Sequence, residues 1–247
     1  MDSGLAFTHL TLLFLTATFA AALVAGLAGF AFGLVAAAVW LYILTPLQTA
    51  TLIIGFGLIV QGYAVWKLRH AIVWMRVTPM LVGTVLGVPL GVAILSTASP
   101  QYLQVGVAAV LVLYSLNGLI RPATKPIAAG GSAADAGVGF LNGVLGGATG
   151  LAGIIATIWC QLRAWPKDQQ RAVFQPVGVA TFLASALWLG AKGSITHDVA
   201  LLFLLGLPVL LAGTWVGLRL YDKLNEAQFR KLVLLLLLAS GVVVLFR

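Results

Sequence analysis

Long uninterrupted apolar runs are the feature that most constrains the fold of this chain. They lie at about residues 7–44, 47–66, 77–97, 100–120, 134–162, 169–191, 198–218 and 229–246. Each run approaches or exceeds the roughly 20 residues that a helix needs to cross the hydrocarbon of a bilayer. Because the runs are continuous and do not alternate, they exclude a transmembrane β-barrel. We therefore expect an all-α polytopic membrane protein.

The charged residues agree with this class. Only 8% of the chain is charged, whereas soluble domains contain about 25% charged residues. A formal net charge of +8 would indicate nucleic acid in a soluble chain. Here Lys and Arg lie in short loops, where they orient a protein in the membrane. We expect the lipid bilayer as a partner and no nucleic acid.

The two halves of the chain resemble each other on either side of a linker rich in Pro, Gly and Ala. The matching segments are GLAGFAFG at 26–33 with GVLGGATG at 143–150, TPLQ at 45–48 with WPKD at 165–168, VGTVLG at 82–87 with AGTWVG at 212–217, and SPQYLQ at 99–104 with NEAQFR at 225–230. An internal duplication is a common plan for transporters. We predict a first repeat at 1–121, a linker at 122–135 and a second repeat at 136–247.

Positive charge lies on opposite loops in the two halves. The middle loop of the first half is basic, whereas in the second half the flanking loops are basic. By the positive-inside rule, equivalent loops then lie on opposite faces, which predicts an inverted repeat in a multi-pass plasma (inner) membrane protein. Twelve of the fourteen Lys and Arg residues fall in the predicted cytoplasmic loops, which are 67–76, 121–135, 163–171 and 219–231.

The stretch GVLGGATGLAG at 143–153 holds five glycines in eleven positions. For loops 121–135 and 163–171 to share a face, the run between them must cross the membrane an even number of times. Glycines let a chain turn and let neighbouring backbones approach closely. We predict Gly-rich re-entrant or broken helices here and within 7–44. Paired full spans, or small residues that serve helix packing alone, remain the alternatives.

These segments resemble the sulfite exporter TauE/SafE family of membrane permeases. The resemblance covers about residues 15–246 and is most specific in the pattern LRHAIVW…P…G…G…G and in the Gly-rich start of each half. It implies about eight spans and a permease for sulfite, sulfonates and related organic anions. In the first half, Phe30, Ala31 and Phe32 stand where the family has smaller residues, a departure that concerns the substrate more than the fold.

The residue types favour an anionic substrate. The six acidic residues lie at run ends or in loops, and a buried carboxylate would repel an anion. The N-termini of broken helices attract oxyanions through free N–H groups and the helix dipole. The expected substrate-binding residues are Asn142, Gly146, Gly147, Thr149, Gly150 and Gln175, with Gly29 and Gly33 of the first half. Pro176 predicts a further helix interruption. Arg163 is the candidate for a gate or for anion attraction, with interfacial anchoring as its alternative.

The predicted function is a secondary transporter that moves a small anion by alternating access. The alternative is a non-transporting membrane scaffold or assembly subunit, and a cation transporter is a weaker third reading. The sequence carries no nucleophile–base pair, phosphate loop or HExxH motif, so we expect no enzyme, no catalytic residues, no metal and no cofactor. The sequence leaves four points open: the identity of the anion, the coupling ion, the direction of transport and whether the protein forms a homo-oligomer.

Overall fold

The computed structural model describes residues 2–97, 100–120, 127, 130–149, 153–191 and 196–245, and it confirms the all-α class over these residues. A 3-10 turn at Arg69–Ala71 accompanies the α-helices. The helices are α1 Asp2–Ala28, α2 Phe32–Trp40, α3 Pro46–Lys67, α4 Trp74–Thr97, α5 Pro100–Ile120, α6 Gly131–Thr149, α7 Ile154–Leu162, α8 Lys167–Ala191, α9 His197–Asp222 and α10 Glu226–Leu245.

Three helices among the described residues are both long enough and apolar enough to cross a membrane. They are Thr8–Ala28 within α1, Pro46–Lys67 and His197–Asp222. Large apolar side chains such as Leu204 and Trp215 of α9 lie more than half exposed, at 63% and 53%. Apolar surface of this kind is suited to lipid, because the hydrocarbon of a bilayer is as apolar as the side chains themselves. The helices therefore place this chain in a membrane.

Both Gly-rich stretches interrupt the helix that contains them. In the first, α1 ends at Ala28, and Gly29 and Ala31 adopt left-handed backbone angles with φ of 87° and 71°. In the second, α6 ends at Thr149, residues 150–152 lie outside the described part, and Gly153 has φ of 86°. A nine-residue helix, α2 or α7, follows each interruption. Neither stretch is a single straight rod.

The helix α7 runs back along α6, and we call this pair the second hairpin (residues 131–162). Near the start of α7, the backbone N–H of Ala156 donates to Asn142 Oδ1 at 3.4 Å. One turn later, Trp159 Nε1 donates to Asp135 Oδ1 at 2.7 Å. As residue numbers rise along α7, its partners on α6 fall, so the two helices are antiparallel. The chain leaves the second hairpin at the end where it entered.

The helices α1 and α2 form a first hairpin (residues 2–40) that is held by aromatic rings. Phe14 and Trp40 stack with ring centroids 5.1 Å apart. Phe14 lies 14 residues before Ala28, which corresponds to about 21 Å along a helix axis. The end of α2 therefore lies beside the middle of α1. Phe56 of α3 packs against Trp40 with centroids 5.9 Å apart, and both side chains are fully buried in an apolar core.

Two helix pairs share one packing register. The helix α1 packs against α9, and α6 packs against α4. A Cβ atom placed on Gly26 would lie 2.7 Å from the carbonyl oxygen of Thr214, and a Cβ atom on Gly143 would collide with the carbonyl oxygen of Thr84. The aligned segments match Gly26 with Gly143 and Thr84 with Thr214. The same close approach recurs at a second aligned pair of contacts. A Cβ atom on Gly217 would collide with the carbonyl oxygen of Leu23, and a Cβ atom on Gly87 would collide with the carbonyl oxygen of Phe140.

The described helices form two compact units. Unit 1 consists of Met1–Ala64 and Ser185–Lys223, and so it contains α1, α2, most of α3 and α9. Unit 2 consists of Val65–Ala184 and Leu224–Arg247, with α4 to α7, most of α8 and α10. Unit 1 thus combines the first three helices of the first predicted repeat with the fourth helix of the second, and unit 2 holds the last two helices of the first predicted repeat with the first three and the last helix of the second. The repeat boundaries drawn along the sequence stay a prediction.

The residues that precede the two nine-residue helices allow a reciprocal test of backbone strain. Ala31 adopts the left-handed conformation that costs an L-residue about 1–2 kcal/mol, whereas Gly153 adopts it without that cost. Replacing Ala31 with glycine should therefore stabilise the protein by about 1 kcal/mol, and Gly153→Ala should destabilise it by a similar amount. Thermal unfolding in detergent measures both changes. Shifts of the same sign in the two variants would contradict the assigned conformations.

Candidate functional site

The interruption before α7 is the centre of a polar region in unit 2. Gly153 immediately precedes α7, and its carbonyl oxygen accepts a hydrogen bond from Thr157 Oγ1 at 2.8 Å. A Cβ atom on Gly153 would lie 3.9 Å from the carbonyl oxygen of Phe174. The part of α8 around Phe174 therefore lies beside the interruption. This neighbourhood brings α6, the start of α7 and α8 together.

Asn142 is fully buried on α6 and satisfies one of the free backbone N–H groups at the start of α7 through its Oδ1 atom. Its Nδ2 atom has no hydrogen-bond partner among the described residues. Leaving a buried amide N–H without a partner costs about 1–3 kcal/mol. The amide of Asn142 thus has one end committed to the fold and one end available to a ligand.

Arg171 and Gln175 lie one turn apart on α8, and their side chains are 0% and 1% exposed. With the amide turned so that its oxygen faces the guanidinium, Gln175 Oε1 accepts from Arg171 Nε at 3.1 Å and from Nη2 at 2.8 Å. The sequence placed Arg171 in a loop at 163–171, whereas α8 begins at Lys167 and contains it. The spacing of four residues, which puts both side chains on one helix face, is the signal that identifies the pair.

The interruption expected at Pro176 is not found, so that prediction was wrong. The helix α8 continues from Lys167 to Ala191 with Pro176 inside it. Proline removes the N–H that would bond the carbonyl of Ala172, but in membrane helices neighbouring groups can satisfy the freed backbone. Gln175 is therefore a residue of a continuous helix.

Arg163 closes the open end of the second hairpin. Its Nη2 atom lies 3.5 Å from Asp135 Oδ1, and its Nη1 atom donates to the carbonyl of Ile127 at 3.1 Å. Its guanidinium also lies 5.0 Å from the ring centroid of Trp159. These contacts hold the end of α7 against the start of α6. The expected role of Arg163 in anion attraction stays a prediction.

The four loops predicted to share one face are joined by hydrogen bonds within unit 2. Each bond connects side-chain or backbone groups from two of these loops or from the helix turns beside them. The bonds run from Arg76 Nη1 to Gln169 Oε1 at 2.7 Å, from Arg163 Nη1 to the Ile127 carbonyl at 3.1 Å, and from the Lys167 backbone N–H to Glu226 Oε2 at 2.8 Å. The basic loops therefore meet at one end of this unit.

The other predicted residues of the second half lie on α6 or beyond its end. Gly146 is buried and Gly147 is half-buried, between Asn142 and the interruption. Thr149 is the last residue of α6, and its side chain is outside the described part. Gly150 also lies outside the described residues. The structure thus places Asn142 against α7 and Gln175 next to Phe174 on α8, and the substrate-binding roles of these residues, of Thr149 and of Gly150 stay predictions.

Gly29 and Gly33 belong to unit 1 and have apolar surroundings. Phe30 and Phe32 beside them are 5% and 4% exposed. A Cβ atom on Gly33 would lie 3.0 Å from Ile53 Cγ2. The helix α2 has the sequence FGLVAAAVW, without a polar side chain, whereas α7 contains Thr157 and Gln161. The two interruptions have similar backbone angles, but apolar side chains surround the first and polar side chains lie beside the second.

The polar region of unit 2 presents hydrogen-bond donors. They are the guanidinium of Arg171, the Nδ2 atom of Asn142 and the N-terminal end of the nine-residue α7, where the helix dipole is positive. Donors of this kind complement the oxygens of an oxyanion. Over the described residues, no group of three His, Cys, Asp or Glu side chains is placed to hold a metal ion.

Comparison with known families identifies one match. The model of the family described as Sulfite exporter TauE/SafE matches residues 13–244, which is nearly the whole chain. No curated protein and no solved structure matches this chain.

Proposed function

This chain is a member of the sulfite exporter TauE/SafE family and is a membrane transporter, and on that basis we propose that it moves a small oxyanion by alternating access. The substrate class is sulfite, a sulfonate or a related organic anion. The proposed binding site lies in unit 2, where α6, α7 and α8 meet at the interruption before α7.

The buried pair formed by Arg171 and Gln175 is the observation that carries this proposal. Taking a guanidinium out of water costs several kcal/mol unless partners compensate it. A membrane protein that keeps such a charge buried usually uses it for function. The planar guanidinium has five N–H donors and can hold two oxygens of an oxyanion at once. We assign Arg171 the main charge contact with the substrate and Gln175 the task of orienting it.

Asn142 and α7 supply the uncharged donors. The Nδ2 atom of Asn142 would donate to a substrate oxygen and so recover the energy that its lack of a partner costs. The start of α7 contributes the positive end of a helix dipole, equivalent to about half a charge. Because Asn142 Oδ1 holds Ala156 in place, both contacts depend on one side chain.

The second hairpin supports an arrangement in which the chain enters and leaves the membrane on one face. Its two ends are joined where the Ile127 backbone N–H donates to the Leu162 carbonyl at 3.0 Å. The loops that meet at this end are basic, so we assign them to the cytoplasm and the protein to the inner membrane. In this proposal the two halves form an inverted repeat, and the two hairpins are re-entrant.

Transport by the reconstituted full chain tests the proposed function. Proteoliposomes should show saturable flux of at least one oxyanion from a panel of sulfite, sulfate, alkylsulfonates and carboxylates, and the other good substrates should compete. Liposomes without protein give the background. Absence of both flux and binding for every oxyanion in the panel would contradict the proposal.

Asn142 allows a test that keeps its contact with the fold and removes its donor. Asn142→Asp keeps an Oδ1 acceptor for Ala156, replaces the Nδ2 donor with a carboxylate oxygen and adds negative charge, so oxyanion affinity should fall at least about tenfold. Asn142→Leu removes both contacts, and it should also lower the unfolding temperature. Flux assays and thermal unfolding, measured together, separate the two effects. Unchanged flux in Asn142→Asp would remove this residue from the site.

A further inference from the structure

A cavity of about 280 Å³ lies at the loop-bearing end of unit 2. It is open to solvent on one side and is lined by the turn between α7 and α8, the first turn of α8 and the first turns of α10. The side chains that matter for its chemistry are Gln161, Trp165, Gln170, Glu226 and Arg230. Arg171, Gln175 and Asn142 are not among the residues that line it, so the cavity is distinct from the proposed transport site.

Ring contacts and a hydrogen bond hold two of the lining residues, Trp165 and Gln170, in place. The guanidinium groups of Arg76 and Arg163 lie 4.7 and 5.9 Å from the ring centroid of Trp165. The backbone carbonyl of Trp165 accepts a hydrogen bond from Gln170 Nε2 at 2.7 Å. This bond fixes the orientation of the Gln170 amide. Its Nε2 atom is occupied, and its Oε1 atom is left for another partner. The site is therefore built before any ligand arrives.

Buried amide atoms in this wall lack partners. Gln170 is 6% exposed, and its Oε1 atom has no hydrogen-bond partner in the described ranges. Both Nε2 and Oε1 of Gln161 are buried and likewise without a partner there. Each such atom costs about 1–3 kcal/mol unless something binds it. These atoms are shielded from solvent, so a ligand in the cavity reaches them once their side chains turn toward it, and it must then both donate and accept hydrogen bonds.

Two opposite charges complete the cavity. Glu226 and Arg230 lie one turn apart on α10, and within the described part of the chain no ion pair joins them. Glu226 Oε2 accepts a hydrogen bond from the Lys167 backbone N–H at 2.8 Å, which anchors the carboxylate without neutralising its charge. A plain anion would meet repulsion from Glu226, and a plain cation would meet repulsion from Arg230. A molecule with an ammonium group and an acidic group separated by a short chain satisfies both.

We propose that this cavity is a binding site for a small zwitterion, such as an amino acid. The ammonium group faces Glu226 and the amide oxygens, and the acidic group faces Arg230 and Gln161 Nε2. The volume lies near the lower end of the range for small-molecule pockets, about 300–1,000 Å³. This binding goes beyond the proposed transport of an oxyanion and does not depend on it.

Three small probes test the proposal on the full chain in lipid nanodiscs. β-Alanine carries both charges, propionate carries only the acid, and ethylammonium carries only the cation. Calorimetry and thermal unfolding should show saturable binding of β-alanine and at least about tenfold weaker binding of the other two. Absence of β-alanine binding, or equal binding of propionate, would overturn the proposal.

Variants separate a binding role from a structural one. Gln161→Met should leave the ligand-free protein equally or more stable, because it removes buried atoms without partners, while β-alanine affinity falls at least about tenfold. Arg230→Gln should weaken β-alanine in the same way, and Lys231→Gln is the exposed control with an equal loss of charge. Unchanged affinity in both cavity variants would refute the site. Arg171→Gln should retain β-alanine binding, because Arg171 does not line this cavity. Binding of β-alanine therefore tests the cavity independently of the transport proposal.

Discussion

Replacing Arg171 with glutamine should lower oxyanion flux by about tenfold or more while the protein stays folded. Hydrogen bonds to a charged group contribute about 1.5–3 kcal/mol each, which corresponds to roughly 10- to 150-fold in affinity. Glutamine removes the charge from a fully buried position but keeps an amide that can bond to Gln175. Proteoliposome flux over a range of anion concentrations gives the effect on both affinity and rate.

Two further variants control this experiment. Arg171→Lys keeps the positive charge but loses the planar fork, so it should recover only part of the flux. Arg219→Gln loses the same charge at an exposed position on α9, where the guanidinium stacks on Trp215 at 4.7 Å. We expect Arg219→Gln to transport like the unmodified protein. Equal flux in Arg171→Gln and Arg219→Gln would rule out Arg171 as the substrate contact.

Introducing a single methyl group at Gly143 should destabilise the protein by about 3 kcal/mol or more. The Cβ atom of alanine would collide with the backbone carbonyl oxygen of Thr84, where α6 crosses α4. A carbonyl in a helix cannot move away as a flexible side chain can, so the two helices must separate. Overpacking of this kind typically costs about 1–3 kcal/mol and sometimes more. Thermal unfolding and the yield of monodisperse protein in detergent measure the loss.

The same helix provides the matched control. Gly137 also lies on α6, but a Cβ atom placed there would meet no atom within 4 Å. Gly137→Ala should therefore stabilise the helix by about 0.5–1 kcal/mol, since alanine has the higher helix propensity. If Gly143→Ala and Gly137→Ala unfold at the same temperature, the close crossing of α4 and α6 is wrong.

Hydropathy and local chemistry were enough to predict the class of this protein. Runs such as 47–66 and 198–218 became α3 and α9, because length and apolar composition decide whether a helix can cross a membrane. The Gly-rich stretches at 26–33 and 143–153 also became interruptions, because glycine adopts left-handed angles at no cost. The basic loops were identified by charge alone. These are properties of residues and their near neighbours.

The binding site was only partly accessible to sequence reasoning. Asn142 and Gln175 were both expected to bind substrate, and the structure places Asn142 of α6 against Ala156 of α7 and Gln175 next to Phe174, whose carbonyl lies near Gly153. Arg171 was assigned to a loop, since a charged residue near the end of an apolar run resembles an interfacial anchor. Its burial depends on helices that are distant in sequence. Local pattern therefore could not distinguish it from an exposed arginine.

Three features follow from the residues alone: the chain is helical, it belongs in a membrane, and its helices are interrupted at two glycine clusters. Tertiary packing was needed to show that the first hairpin is closed by Phe14 and Trp40 and the second by Asp135 and Arg163. Tertiary packing also groups α1, α2, most of α3 and α9 into one unit, and α4 to α7, most of α8 and α10 into the other. The physical reason is that hydropathy and backbone preference act locally, whereas burial, hydrogen-bond partners and helix crossings depend on which distant segments pack together.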